Sequence, residues 1–314
     1  MAMSAADTVF LFPGQGAQRV GMGRALVERF PEAGRVFEEA NAALGSDVAS
    51  LCFEGPEEEL RRTANAQPAL LALSVAALRA VEARGVTASF AAGHSLGEFG
   101  AWVASGALAF GDALPLVRLR AELMDQATRE APGAMAALIG LDEDRVAQIC
   151  EQAAAEGTIV PANFNAPDQI VVSGQSAAVD RGAELAAEAG ARVVRLRVSG
   201  AFHSPLMAAA ASQFAEAVEK VKLAPARIPV VANATGEPVR TEEQIRAAIA
   251  AQMASPVLWR RSMARLLAEG PRRFLEIGPG KVLAGLMRRI APEARVIGVE
   301  DSEGVEAACT ECAN

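Results

Sequence analysis

The residues Gly93-His94-Ser95-Leu96-Gly97 constrain this chain more than any other five. They join an apolar run, Ala88-Ser89-Phe90-Ala91-Ala92, to a helical pattern over 96–105, and so predict a strand, a sharp turn and a helix. A serine at such a turn is held in strained backbone geometry with its hydroxyl lifted clear. The flanking glycines are required because a Cβ there would collide with the neighbouring strand or helix. The helix that follows aims its N-terminus at the serine, where free N–H groups and the positive dipole end favour negative charge. That suits the oxyanion formed when Ser95 attacks a carbonyl carbon.

The rest of the chain supplies a sheet for this elbow. Residues 8–12, Thr-Val-Phe-Leu-Phe, read as a strand that stops at Pro13-Gly14-Gln15-Gly16. That turn is either a plain strand-to-helix connection or a way to bring the Gln15 backbone N–H close to a reacting group. Helical spacing covers 21–44, 56–84 and 110–128, and the last of these carries Arg118 and Arg120. Two positions apart on a helix, these arginines point about 200° away from each other, so one can be solvated while the other faces inward. From 134 the rhythm becomes strand 134–140, helix 142–155, strands 159–163 and 169–173, helix 177–189 and strand 192–198. This β-α-β-β-α-β order is ferredoxin-like. Helices to 222, over 241–253, 262–269 and 282–290, and strands over 228–233, 273–277 and 295–299, complete the pattern. The tail from Asp301 shows no pattern and reads as disordered. The expected fold class is α/β. An α/β-hydrolase-like large domain with a parallel sheet and the nucleophile elbow spans 1–128 and 201–314, with an inserted ferredoxin-like subdomain over 129–200.

Serine is a weak nucleophile until a base takes its proton, and histidine is the usual base. The chain has two histidines. His94 adjoins Ser95 in a tight turn where neighbouring side chains diverge, so His203 is the candidate by elimination. A simple esterase of the α/β-hydrolase type would place an acid between the serine and a histidine near the C-terminus, with an HGGG-type oxyanion loop. Neither is visible. Composition excludes other classes. A net charge of −8 argues against a nucleic-acid partner. No stretch approaches the roughly 18 continuous apolar residues of a membrane span, and no signal-type segment opens the chain, which predicts a cytoplasmic protein without membrane attachment. Cys52 and Cys150 are scattered, and the pair Cys309 and Cys312 lacks the further ligands of a zinc site, so no metal is expected.

Four motifs, Phe12-Pro13-Gly14-Gln15-Gly16-Ala17-Gln18, Gly93-His94-Ser95-Leu96-Gly97-Glu98, Gly200-Ala201-Phe202-His203-Ser204-Pro205-Leu206-Met207 and Glu276-Ile277-Gly278-Pro279-Gly280-Lys281, resemble the malonyl-CoA:acyl carrier protein transacylases, in that family's order. The resemblance implies transfer of a malonyl group from malonyl-CoA to Ser95, then to the phosphopantetheine thiol of acyl carrier protein. That ping-pong reaction needs no cofactor and feeds fatty-acid or polyketide synthesis. It implies that His203 is the base and that Leu96 and Gln15 give the oxyanion N–H groups. It also implies that Arg120 grips the malonyl carboxylate, with Met124 and Gln252 in the same substrate pocket, and that the Gln252 carbonyl orients the histidine. Phe202 before the histidine favours malonyl over methylmalonyl. Because acyl carrier proteins are acidic, Arg195, Arg197, Arg288 and Arg289 are candidate docking residues near the rim. The rival readings are a serine thioesterase that clears acyl groups from a carrier protein, which has no need of Arg120, and a non-catalytic scaffold, which has no need of the serine, the histidine and the GQG turn together.

Overall fold

Five consecutive buried residues, Thr8–Phe12, form strand β1 in the computed structural model, which describes residues 8–198, 200–271 and 273–313. A strand without polar alternation has to be covered on both faces, and parallel sheets provide that. The other strands are β2 (Phe90–Gly93), β3 (Gly133–Ile139), β4 (Ile159–Ala166), β5 (Gln169–Gln175), β6 (Arg192–Arg195), β7 (Val230–Val231), β8 (Pro238–Val239), β9 (Arg273–Ile277) and β10 (Arg295–Val299). One sheet runs β10-β9-β1-β2-β7-β8, and only its β7–β8 pair is antiparallel. The carboxyl ends of β1, β2 and β9 open into Pro13, His94 and Gly278 along one edge, where ligands of open α/β sheets bind.

The second sheet runs β4-β5-β3-β6 with antiparallel neighbours, the ferredoxin-like order expected of 134–198. Its period-2 alternation divides the side chains of β3 between two cores. Ala134, Ala136 and Leu138 pack with helices Glu143–Ala153 and Ser176–Glu188, while Met135 and Ala137 join the main core. Backbone bonds from Val257 N to Ala162 O (2.8 Å) and from Phe164 N to Val257 O (2.9 Å) fasten this sheet to the large unit.

Several expected elements differ. The helical pattern of 21–44 divides into Arg24–Arg29 and Pro31–Leu44, because a proline without an N–H starts a helix more readily than it continues one. Helix Val48–Glu54 was not anticipated; the Asp47 side chain caps it by accepting from Ser50 N at 2.9 Å. The pattern over 56–84 holds two helices, Glu57–Arg61 and Thr63–Glu82, divided by the extended Arg62. The second is long and apolar enough to cross a membrane, yet 83% of its apolar window is buried inside the protein, so it is a core helix. Helix Phe110–Glu130 continues past the expected boundary at 128. The helix expected to reach 222 ends at Val218, and the strand expected over 228–233 pairs only at Val230 and Val231 before Asn233 turns towards the elbow. The expectation of a disordered tail is wrong. Ser302–Ala313 is a helix with Val305, Ala308 and Cys312 buried, and Asp301 caps it by accepting from Gly304 N at 2.9 Å.

Candidate active site

The elbow forms where the backbones of β1 and the following turn leave no space. A Cβ on Gly97 would fall inside van der Waals contact with the Phe12 carbonyl, and one on Gly93 would collide with the Gly97 carbonyl and Glu98 N. Gly97→Ala is expected to destabilise the protein by about 3 kcal/mol or more, since a rigid backbone rather than a flexible side chain blocks the methyl. The midpoint of urea unfolding measures it. Ser95 adopts φ 50, a conformation that costs a non-glycine residue of order 1–3 kcal/mol. It is held by Ser95 N donating to Asn233 Oδ1 (2.7 Å) and by His94 N donating to Phe12 O (2.9 Å). His203 shares this feature with φ 57.

Across 108 residues of sequence, Ser95 Oγ and His203 Nε2 meet at 2.7 Å. His203 Nδ1 lies 3.1 Å from Gln252 O and 3.0 Å from Ser255 O. Carbonyl oxygens only accept, so Nδ1 carries the proton and Nε2 presents its lone pair to the serine O–H. Two backbone carbonyls thereby orient the imidazole, with no carboxylate bonded to it among the described residues. Burial, then the Arg120 charge and His94, pull the His203 pKa down to about 3, which keeps the imidazole neutral as a proton acceptor. His94 turns away: its Nε2 lies 2.8 Å from Asn165 Oδ1 and its ring packs against Trp259. His203→Ala is therefore expected to slow acylation by about 10²- to 10⁴-fold, and His94→Ala to spare the chemical step in the folded protein, as single-turnover kinetics will show.

Arg120 is 1% exposed, while Arg118 is half-buried and bonds to Ser46 and the Leu44 carbonyl. Arg120 Nε donates to Gln252 Oε1 (2.9 Å), Nη1 to Gln67 Oε1 (2.7 Å) and Nη2 to Ser95 Oγ (3.1 Å). These partners are neutral. Burial lowers its pKa to about 10, so it remains charged at neutral pH. The Glu98 charge favours its charged form, but among the described residues no carboxylate lies within ion-pair distance of this buried cation, so its remaining N–H groups are available to a ligand.

A cavity of about 580 Å³ opens over these groups. Gln15, His94, Ser95, Leu96, Arg120, Met124, Phe202 and His203 line it, so most of the expected site residues converge. Gln252 requires a correction. It is expected in the substrate pocket but sits behind the cavity wall at 1% exposure, where its side chain ties Arg120 to Ser95 O (2.9 Å). Its carbonyl contact with the histidine is as expected. The four rim arginines also separate. Arg197 lines the cavity, as does Arg61, which was not anticipated. Arg195 is paired with Asp180, Arg289 with Asp168, and Arg288 is exposed on helix Val282–Ile290.

Sequence reasoning missed Gln67, Glu98 and Asn233, which hold the site from behind. Asn233 Nδ2 donates to Gly93 O (2.6 Å) while Glu98 accepts from both Asn233 N (2.8 Å) and Gln252 Nε2 (2.5 Å). The available signal was Glu98 itself, a carboxylate within the otherwise uncharged helix Gly97–Ala104, every residue of which is buried. A buried carboxylate of that kind must have partners.

A family model for the acyl transferase domain matches residues 9–305. A malonyl CoA-acyl carrier protein transacylase of Bacillus subtilis is 45% identical over 301 residues, covering 95% of each chain. The crystal structure of an acyl carrier protein S-malonyltransferase from Vibrio cholerae superposes with a TM-score of 0.93 at 39% identity, over 96% of this chain and 99% of that one. A malonyl-transacylase solved in complex with a type II PKS acyl-carrier protein gives a TM-score of 0.94 at 39% identity, over 97% and 99%.

Proposed function

Since this chain belongs to the malonyl CoA-acyl carrier protein transacylases of the acyl transferase family, we propose that its site carries malonyl transfer in two half-reactions through malonyl-Ser95. The substrate carboxylate pairs with the Arg120 N–H groups that remain beyond the three bonds to Gln252, Gln67 and Ser95, out of the five that a guanidinium carries. This sets the thioester carbonyl beside Ser95. Oγ attacks the carbonyl carbon as His203 Nε2 takes the hydroxyl proton, and the oxyanion lies against the backbone N–H groups of Leu96 and Gln15 at the helix N-terminus. Collapse breaks the carbon–sulfur bond, and the departing thiolate takes the proton from His203. The phosphopantetheine thiol of acyl carrier protein then enters, gives its proton to His203 and attacks the ester, and Ser95 leaves and is reprotonated.

The observation that carries this reading is Arg120, a buried cation with neutral partners 3.1 Å from the nucleophile. A thioesterase acting on simple acyl groups has no use for it. Phe202, at the cavity wall with Met124, is the proposed barrier to the extra methyl of methylmalonyl. Arg197 and Arg288, which no carboxylate pairs among the described residues, are the proposed contacts for the acidic carrier protein. Residues 129–200 are proposed as the subdomain that closes the cavity from one side, through Met135, Asn163, Leu196, Arg197 and Val198. Four cysteines without a disulfide suit a reducing compartment, and the cytoplasm is the proposed location. Initial rates with malonyl-CoA and acyl carrier protein varied together test the scheme. Parallel double-reciprocal lines are expected, and intersecting lines would mean direct transfer without an acyl-enzyme.

A further inference from the structure

Glu98 uses both carboxylate oxygens on groups that themselves hold the reacting residues. Oε1 accepts from Asn233 N at 2.8 Å, and the Asn233 side chain holds Ser95 N and Gly93 O. Oε2 accepts from Gln252 Nε2 at 2.5 Å, and the same residue gives Oε1 to Arg120 Nε and its backbone oxygen to His203 Nδ1. We propose that Glu98 is a positioning residue for malonyl transfer: its carboxylate, through Gln252 and Asn233, fixes the guanidinium that receives the substrate carboxylate and the backbone that presents the nucleophile. The assignment rests on the malonyl-transfer reading above.

The donor count requires an ionised carboxylate. Gln252 Nε2 has two protons, one for Ser95 O and one for Glu98, and its Oε1 faces Arg120, so the amide cannot flip without opposing two donors. Asn233 N can only donate. A glutamine in its place would put its NH2 against one of these two donors, and a protonated Glu98 would carry an O–H that neither of them can accept and would accept more weakly through that oxygen. The amide that steadies Arg120 would then lose its anchor. Burial raises the Glu98 pKa to about 7, against the opposing effect of the Asn233 and Gln252 hydrogen bonds and of Arg120. Arg120 is the charged group that faces it, from helix Phe110–Glu130, and the site histidines lie beyond Gln252 and at the elbow. β1 and β2 carry no charged residue, and Arg79 and Glu82 of helix Thr63–Glu82 pair with each other.

The test is the ratio of kcat/KM for malonyl-CoA over acetyl-CoA in the wild-type enzyme, followed from about pH 8 down to about 5.5. Protonation of His203 or of the CoA phosphates affects both substrates and cancels, and the malonyl carboxylate stays ionised, with its pKa near about 4. Glu98 is ionised above its pKa and gains a proton as the pH falls, so the ratio is expected to drop about tenfold or more across that range. Glu98→Gln, equal in shape, should show a low ratio that is independent of pH, with kcat reduced by about 10²-fold as for a small misplacement of reacting groups. A wild-type ratio that stays constant, or rises on acidification, would overturn the assignment, as would a folded Glu98→Gln enzyme with the wild-type ratio. Should that variant not fold, the wild-type profile alone decides. Absence of any malonyl preference at about pH 8 would instead sink the underlying reading, so the two failures are distinct.

Discussion

The Ser95→Ala enzyme is expected to transfer malonyl groups roughly 10⁶-fold more slowly than the wild type, the scale of loss when an acyl-transfer enzyme loses its nucleophile. The geometry leaves no substitute. His203 Nε2 and Arg120 Nη2 converge on Ser95 Oγ at 2.7 and 3.1 Å, and the other histidine bonds to Asn165 instead. The fold should tolerate the change. The backbone at φ 50 is held by Asn233 and Phe12 whatever the side chain, and alanine needs no more room than serine. Thermal unfolding near the wild-type midpoint, together with the rate loss, would locate the effect in the chemistry. A folded Ser95→Ala enzyme within about tenfold of the wild-type rate would remove Ser95 from its role.

Arg120→Ala is expected to change which substrate is preferred. A site built around a buried polar contact rejects the analogue that lacks its partner by roughly 10⁴-fold or more, and acetyl-CoA lacks the carboxylate. Removing the guanidinium should therefore abolish malonyl transfer and raise acetyl transfer relative to it. Lysine should not restore the preference, because it cannot offer two parallel N–H groups while also bonding to Gln67 and Gln252. If Arg120 only braced its helix, the variant would melt earlier and keep its preference. Its bonds point instead to Gln67 and Gln252, 53 and 132 residues away in sequence. The ratio of kcat/KM for the two thioesters, in a protein shown to be folded, distinguishes the cases, and an unchanged ratio would contradict the carboxylate role.

Local physics made the elbow legible before any coordinates. Gly93 is required by collisions with the turn's own backbone at Gly97 and Glu98, Gly97 by the Phe12 carbonyl at the end of β1, and the strand before and the helix after announce themselves by periodicity. His203 could be named because the chain offers a single alternative and that one sits where its side chain diverges. The β-α-β-β-α-β rhythm was readable because short β-prone runs are separated by two segments of helical spacing. What could not be read was support at long range. Asn233 reaches Ser95 across 138 residues and Gln252 reaches Glu98 across 154, and no spacing rule links such pairs. The reading of Gln252 followed its carbonyl and missed its amide, which does not touch the cavity. The C-terminal helix escaped because Ala, Cys and Glu give it little amphipathic contrast, although Asp301 three residues before Gly304 marked its start. The rim arginines show the limit of charge counting, since two of the four are already committed to aspartates.

The central claim is a malonyl group carried on Ser95. Its most direct test is the intact mass of the wild-type enzyme after separate incubation with malonyl-CoA, acetyl-CoA and methylmalonyl-CoA, followed by peptide mapping of any adduct. The expected result is one malonyl group on the peptide containing Ser95, released when acyl carrier protein bearing a free phosphopantetheine thiol is added, with little or no adduct from the other two thioesters. An adduct on any other residue, or acetyl and malonyl groups taken up equally, would contradict the account.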